Sequence, residues 1–162
     1  MGIMGGRRRQ RIERMRARYA GGRPDEETKA IHRRFVAGWQ PRLLPIAAVL
    51  DVAGRTSGAT IRVPLVIVPY RGRWYLVSML GERANWVRNV RAAGGQGVLL
   101  HGRSRRVHLV EVPTAQRAPI IRRYLLFAWG AHPHMPVTWH TPLRDIAAIA
   151  ADYPVFRVDR RS

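Results

Sequence analysis

From residue 46 onward, short β-branched runs alternate with longer helical patterns. Ile46–Ala53, Thr60–Val68 and Trp74–Met79 read as three strands. They are joined by the turns Gly54-Arg55-Thr56-Ser57-Gly58 and Arg71-Gly72-Arg73. Apolar runs separated by such short glycine-bearing turns predict an antiparallel meander. Pro64 marks an edge or a bulge in the second strand, because proline cannot donate to a ladder. Gly81–Ala93 is helical, with Trp86, Val87, Val90 and Ala93 on one face, and Asn85, Arg88 and Arg91 turned from it. Gly94-Gly95 closes that helix. Gln96–His101 and Arg105–Val112 form a hairpin around Gly102-Arg103-Ser104, with His101 and His108 expected to pair across it. Thr114–Phe127 is a helix with Thr114 as its cap. After a loop over Ala128–Thr141 come a short helix, Pro142–Ala151, and a last strand, Val155–Val158.

Upstream, Pro24-Asp25-Glu26-Glu27 reads as a helix start, with proline in the first turn and acids at the positive end of the dipole. The helix is expected to run to about Ala37, with Pro41 and Pro45 ending it; Ile31, Phe35 and Trp39 recur at i+4 spacing, with Arg33 and Arg34 opposite. That face fits either a barrel wall or an anionic membrane surface. The whole order predicts an α+β fold: a small barrel, split or partly open, of about six mostly antiparallel strands with helices over its ends. Residues 24–162 form its single domain.

Composition bounds the function. With no cysteine, a disulfide framework, a thiolate zinc site and a cysteine nucleophile are excluded. No run approaches the roughly 20 apolar residues of a membrane span, and no apolar h-region follows the basic start. A cytoplasmic protein is expected, with a peripheral place on the inner membrane face open to it. The 29 Lys+Arg against 10 Asp+Glu leave a net charge of +19. Lys29 is the sole lysine, an arginine bias that a GC-rich genome also gives. Such a surface attracts phosphates, carboxylates and other polyanions. Residues 1–23 concentrate it: Arg7, Arg8, Arg9, Arg11, Arg14, Arg16, Arg18 and Arg23 face Glu13 alone, which reads as a disordered arm.

Two segments carry candidate chemistry. In the turn 54–58 the glycines permit close backbone approach, Arg55 offers a planar fork, and Thr56 and Ser57 add hydroxyls. The same turn also reads as a plain hairpin. In the second segment Ser78-Met79-Leu80-Gly81 leads a strand end into a helix N-terminus, a ready anion site. Trp86 and Asn89, at i and i+3, either flank a flat ring or belong to the core. His132, His134 and His140 lie in one loop without an acid, which fits no closed zinc set, so no metal is expected.

The order of the 54–58 turn, Arg62-Val63-Pro64-Leu65, Trp74–Ser78 and Asn85-Trp86-Val87-Arg88-Asn89 resembles the deazaflavin (coenzyme F-420)-dependent nitroreductase/quinone reductase family. The likeness runs from about residue 46 to the Tyr153–Val158 strand. It implies a split barrel related to flavin-binding oxidoreductases, with hydride transfer from reduced F-420 to a quinone, nitro compound or activated alkene. By that resemblance Arg55, Thr56, Ser57 and Gly58 meet the anionic tail, and Arg62, Pro64 and Leu65 line the ring pocket. Ser78, Met79, Leu80 and Gly81 meet the ring or phosphate, and Asn85, Trp86 and Asn89 close the helix side. No catalytic side chain is implied, because the cofactor carries the reaction. Many members carry Lys-Gly where this chain has Met79-Leu80, with Arg83 near enough to supply the charge. Members that close the substrate pocket use C-terminal tyrosines; here stand Trp129, Trp139 and histidines. Split-barrel oxidoreductases are commonly dimers, which suggests a homodimer.

The alternative on the same fold is a non-catalytic protein holding a lipid, haem or flavin such as FMN. Nucleic-acid binding by the arm is the less favoured partner; the arm and first helix suit an anionic membrane better.

Overall fold

The computed structural model describes residues 46–128 and 131–161. The basic arm, the helix expected from Pro24 and Trp129 lie outside them. Six antiparallel strands follow in order: β1 Ala47–Ala53, β2 Thr60–Tyr70, β3 Arg73–Val77, β4 Gln96–His101, β5 Arg103–Glu111 and β6 Val155–Arg160. They close a barrel in the order β1-β2-β3-β6-β5-β4. The seam that the sequence left open is sealed by β4 pairing β1, with Val49 opposite Leu100 and Asp51 opposite Val98.

Among the described residues three α-helices accompany the strands: α1 Asn85–Ala92, α2 Thr114–Phe127 and α3 Leu143–Ile149. They divide the core. Leu50, Ile67, Leu76, Leu99, Val107 and Phe156 fill the barrel interior, and Trp86, Val87 and Val90 of α1 join them, so α1 stops one barrel end. The neighbours of these residues along each strand point outward. Val68, Val77 and Val155 therefore meet Ile121, Tyr124, Leu125 and Ile146 beneath α2 and α3, along the barrel's side rather than over its end.

Several local expectations change. The helix read over Gly81–Ala93 is a 3-10 turn, Gly81–Arg83, then an extended Ala84, then α1. Thr114 is the first helical residue rather than the cap; Pro113 holds that place with no side-chain hydrogen bond. The β4–β5 turn tightens around Gly102, so Arg103 already pairs with His101. His101 and His108 do not pair. His108 lies opposite Gln96 at the other end of the hairpin, its Nε2 3.2 Å from the Gly94 carbonyl, while the His101 ring meets Trp74.

Pro64 marks an edge, as its missing N–H predicts. β1 pairs β2 over Thr60–Val66, whereas β3 pairs it only over Ile67–Tyr70. Ile67 donates its N–H toward β1, to the Ile46 carbonyl. Alternation then turns the Pro64 nitrogen to the side where, among the described residues, β2 has no neighbour. Among the described residues this leaves a slit beside Thr60–Val66, at the end that α1 stops.

Candidate functional site

The turn between β1 and β2 is locked by its own backbone. Gly54 N–H donates to the Ala59 carbonyl and Gly58 N–H to the Gly54 carbonyl, both at 2.8 Å. Gly58 sits at φ 69°, a conformation that favours glycine. The Ser57 hydroxyl accepts the Ala59 N–H at 3.2 Å, so it serves the turn itself. Arg55 and Thr56 are left exposed at the apex.

Helix α1 buries Trp86, Val87, Asn89 and Val90 on one face. Trp86 is part of the barrel core, its ring 5.5 Å from that of Phe156, and does not present an open face. Asn89 reaches outward from the same face to the turn. Its Oδ1 accepts both the Arg55 backbone N–H at 3.2 Å and the guanidinium at 2.9 Å. A second guanidinium nitrogen reaches the Asn85 Oδ1 at 3.3 Å. The two motifs are therefore clasped by side chain. The clasp uses two of the guanidinium's five N–H donors, and it fixes the orientation of an exposed planar cation.

The segment between β3 and α1 folds on itself. The buried Ser78 hydroxyl donates to the Gly81 carbonyl at 2.8 Å, so it shapes the loop. Gly81, at φ 68°, lies so close to the Asp152 carbonyl that an added Cβ would stand 2.6 Å from it. Met79 packs on the outer core and Leu80 on the barrel core, so neither replaces a lysine's charge. Arg83 and Arg88 are exposed nearby.

An ion-pair chain supports this end. Arg91 of α1 holds Glu82 at 2.5 and 3.0 Å and Glu111 of β5 at 2.6 and 3.0 Å. The Arg91 guanidinium holds the Glu82 carboxyl below its ordinary range, and both carboxylates raise Arg91 in turn. Glu111 also accepts from the buried Arg117, which donates to the Val112, Ala150 and Ala151 carbonyls as well. Sequence reading missed this chain. One signal was available: Arg117 falls with Ile121 and Tyr124 on the buried stripe of α2 at i, i+4, i+7.

On β2, Arg62 does not line the slit. It pairs side by side with Asp51 on β1, at 2.8 Å through each carboxylate oxygen, on the barrel's outer face. Ile61, Val63 and Leu65 share the inward side of the strand with Ile67, and Val63 and Leu65 pack against the barrel core. Leu65 and Pro64 are half-buried beside the slit. No group of three or more His, Asp or Glu side chains is placed to share an ion among the described residues.

The model of the F420H(2)-dependent quinone reductase family matches residues 25–132. The chain belongs to that family. It is thereby an F-420-dependent oxidoreductase, as the order of its motifs implied. No curated protein matches it. Among solved structures, a domain-swapped dimer is similar at 15% identity and TM-score 0.52, covering 83% of this chain and 98% of that one. A protein of unknown function from Agrobacterium tumefaciens str. C58 is similar at 11% identity and TM-score 0.51, covering 73% and 49%. An F420-H2 dependent reductase is similar at 19% identity and TM-score 0.45, covering 70% and 94%. The first two share the fold. No helix among the described residues is long and apolar enough to cross a membrane.

The α1 end fits the family's cofactor in chemical kind. It offers exposed guanidiniums at Arg55, Arg83 and Arg88 for an anionic tail, and an apolar slit edge at Val63 and Leu65 for a flat ring.

Proposed function

We propose that this reductase binds F-420 across the α1 end of the barrel and reduces a quinone, nitro compound or activated alkene there. One observation carries the assignment: the clasp of Arg55 onto Asn89 and Asn85, which turns a mobile cation into a fixed one beside the slit. When bound, reduced F-420 would supply the hydride, and solvent the proton, that the acceptor takes up.

The residues divide the remaining work. Arg55, with the Thr56 hydroxyl and the amides of the Gly58 turn, would hold phosphate or carboxylate oxygens. Arg83 and Arg88 would meet further tail carboxylates, Arg83 in place of the family lysine. Pro64 and Leu65 would exclude water from the ring, with Met79 and Leu80 closing the opposite side. Ser78 and Gly81 set the loop's shape, Asn85 and Asn89 aim Arg55, and Trp86 stiffens the helix from within the core. Arg62, engaged by Asp51, acts through the β1–β2 pairing. Position and dryness suffice for hydride transfer, so no acid–base residue is required.

Two partners belong to the same reading. A homodimer is supported by the domain-swapped assembly of a protein of the same fold. An anionic membrane contact through residues 1–23 and the segment from Pro24 is supported by their charge.

The test is oxidation of reduced F-420 under anaerobic conditions with a menaquinone analogue, a nitroarene or an enone. Turnover with one class identifies the acceptor. Tight binding without turnover would instead favour a binding protein, the reading that apolar Met79 and Leu80 support.

A further inference from the structure

At the barrel end away from α1, a second cluster faces inward. Leu76, Leu99, Val107 and Phe156 lie in the barrel core. Counting by twos along each strand gives Trp74, His101, Arg105 with Arg103, and Arg160 the same inward side at the mouth. The Trp74 and His101 rings meet edge to face at 4.7 Å. Their strands are not neighbours: β6 and β5 stand between β3 and β4. The ring pair therefore reaches across the mouth and floors it.

The intervening strands carry the three arginines. Arg103 lies opposite His101, Arg105 opposite Leu99, and Arg160 opposite Val107. Among the described residues none of the three forms an ion pair. Asp159, the nearest acid in sequence, is turned to the outer face. There Arg157 holds it through both oxygens at 2.8 Å, and Arg73 lies 3.9 Å away. Arg105 sits below its ordinary basicity, through partial loss of water and through repulsion from Arg103 and Arg160. Three like charges gathered over an aromatic floor, with no counter-charge among the described residues, repel one another, and an anion relieves that repulsion.

The geometry points to a phosphate-binding site at this mouth, formed by the guanidiniums of Arg103, Arg105 and Arg160 above the Trp74–His101 pair. Guanidinium forks match phosphate oxygens two at a time, and a dianionic group answers the excess charge. The site lies at the opposite end of the barrel from Arg55, so it stands whether or not F-420 binds there. The phosphate belongs either to a soluble phosphate compound or to a phospholipid headgroup.

Calorimetric titration of the full chain with inorganic pyrophosphate tests this. Saturable binding is expected, weakened about tenfold by Arg105→Gln and by Arg160→Gln. It should be unchanged by Arg144→Gln, an exposed charge on α3, and should persist in the Arg55→Ala background, which removes the phosphate contact expected at the α1 end. Parallel sedimentation uses phosphatidylcholine vesicles with and without phosphatidylglycerol. Arg105-dependent capture by the anionic vesicles would support the site and name lipid as its source. Pyrophosphate binding without capture would support it and name a soluble source. Absence of saturable binding to either probe would overturn the site. So would equal loss with Arg144→Gln, or pyrophosphate binding abolished by Arg55→Ala.

Discussion

Asn89 accepts two hydrogen bonds from Arg55, one from the backbone N–H and one from the guanidinium, on a single buried amide oxygen. Sequence spacing separates the two residues by 34 positions. Asn89→Ala leaves the Arg55 amide without that acceptor, and the guanidinium loses its aim. The expected loss is about 1–3 kcal/mol of stability, with F-420 affinity falling alongside. Urea denaturation and a cofactor titration on the same variant check both. Unchanged affinity in a folded Asn89→Ala protein would show that Arg55 needs no such support.

Gly81 and Gly72 share a positive φ but not an environment. A Cβ on Gly81 would stand 2.6 Å from the Asp152 carbonyl, while one on Gly72 meets nothing within 4 Å. Gly72→Ala therefore costs only the conformational term, roughly 1 kcal/mol. Gly81→Ala must also displace backbone, and a loss at least about 2 kcal/mol larger is expected. Thermal melts of the pair measure the difference; equal losses would refute the close approach.

Arg117 is buried and donates to three carbonyls and to Glu111. Arg117→Met fills the volume but strands those acceptors, at an expected cost of about 3 kcal/mol. Because Glu111 also binds Arg91, the double variant with Arg91→Ala should lose less than the sum of the two single losses. Additive losses in denaturant would mean that the chain is not coupled.

The carboxyls of Glu82 and Asp159 are held below their ordinary range, by Arg91 and by Arg157 respectively. Each binds its proton more weakly in the folded chain. Their contribution to stability is thus present above the unfolded value, about 4, and disappears as pH falls through the folded value. Glu82 is half exposed, so Glu82→Gln should cost at most about 1 kcal/mol at neutral pH. The gap from the parent should close as pH falls through the folded value and should narrow in high salt. A gap that stays constant with pH would contradict the pairing.

Much of this was legible in the chain. The bounds of β4 and α2 follow directly from alternation and helical spacing, and the family followed from the order of two short motifs. What was not legible depends on which strands become neighbours. Side-chain period tells which face Arg62 occupies, but only register sets it opposite Asp51. Nothing local tells that Trp74 meets His101 across a closed barrel. The Ser78 hydroxyl read as a ligand group because its partner, the Gly81 carbonyl, exists only once the loop folds. Trp86 carried two readings, and helix packing against Phe156 chose the core.

The central claim is that Arg55, fixed by Asn89, anchors the anionic cofactor. Fluorescence titration of the full chain with oxidised F-420, at low and at physiological salt, tests it most directly beside Arg55→Ala, with circular dichroism confirming that the variant is folded. The account predicts saturable binding that survives physiological salt and weakens at least about tenfold in Arg55→Ala. Binding indifferent to Arg55 and erased by salt, or no saturable binding, would contradict it.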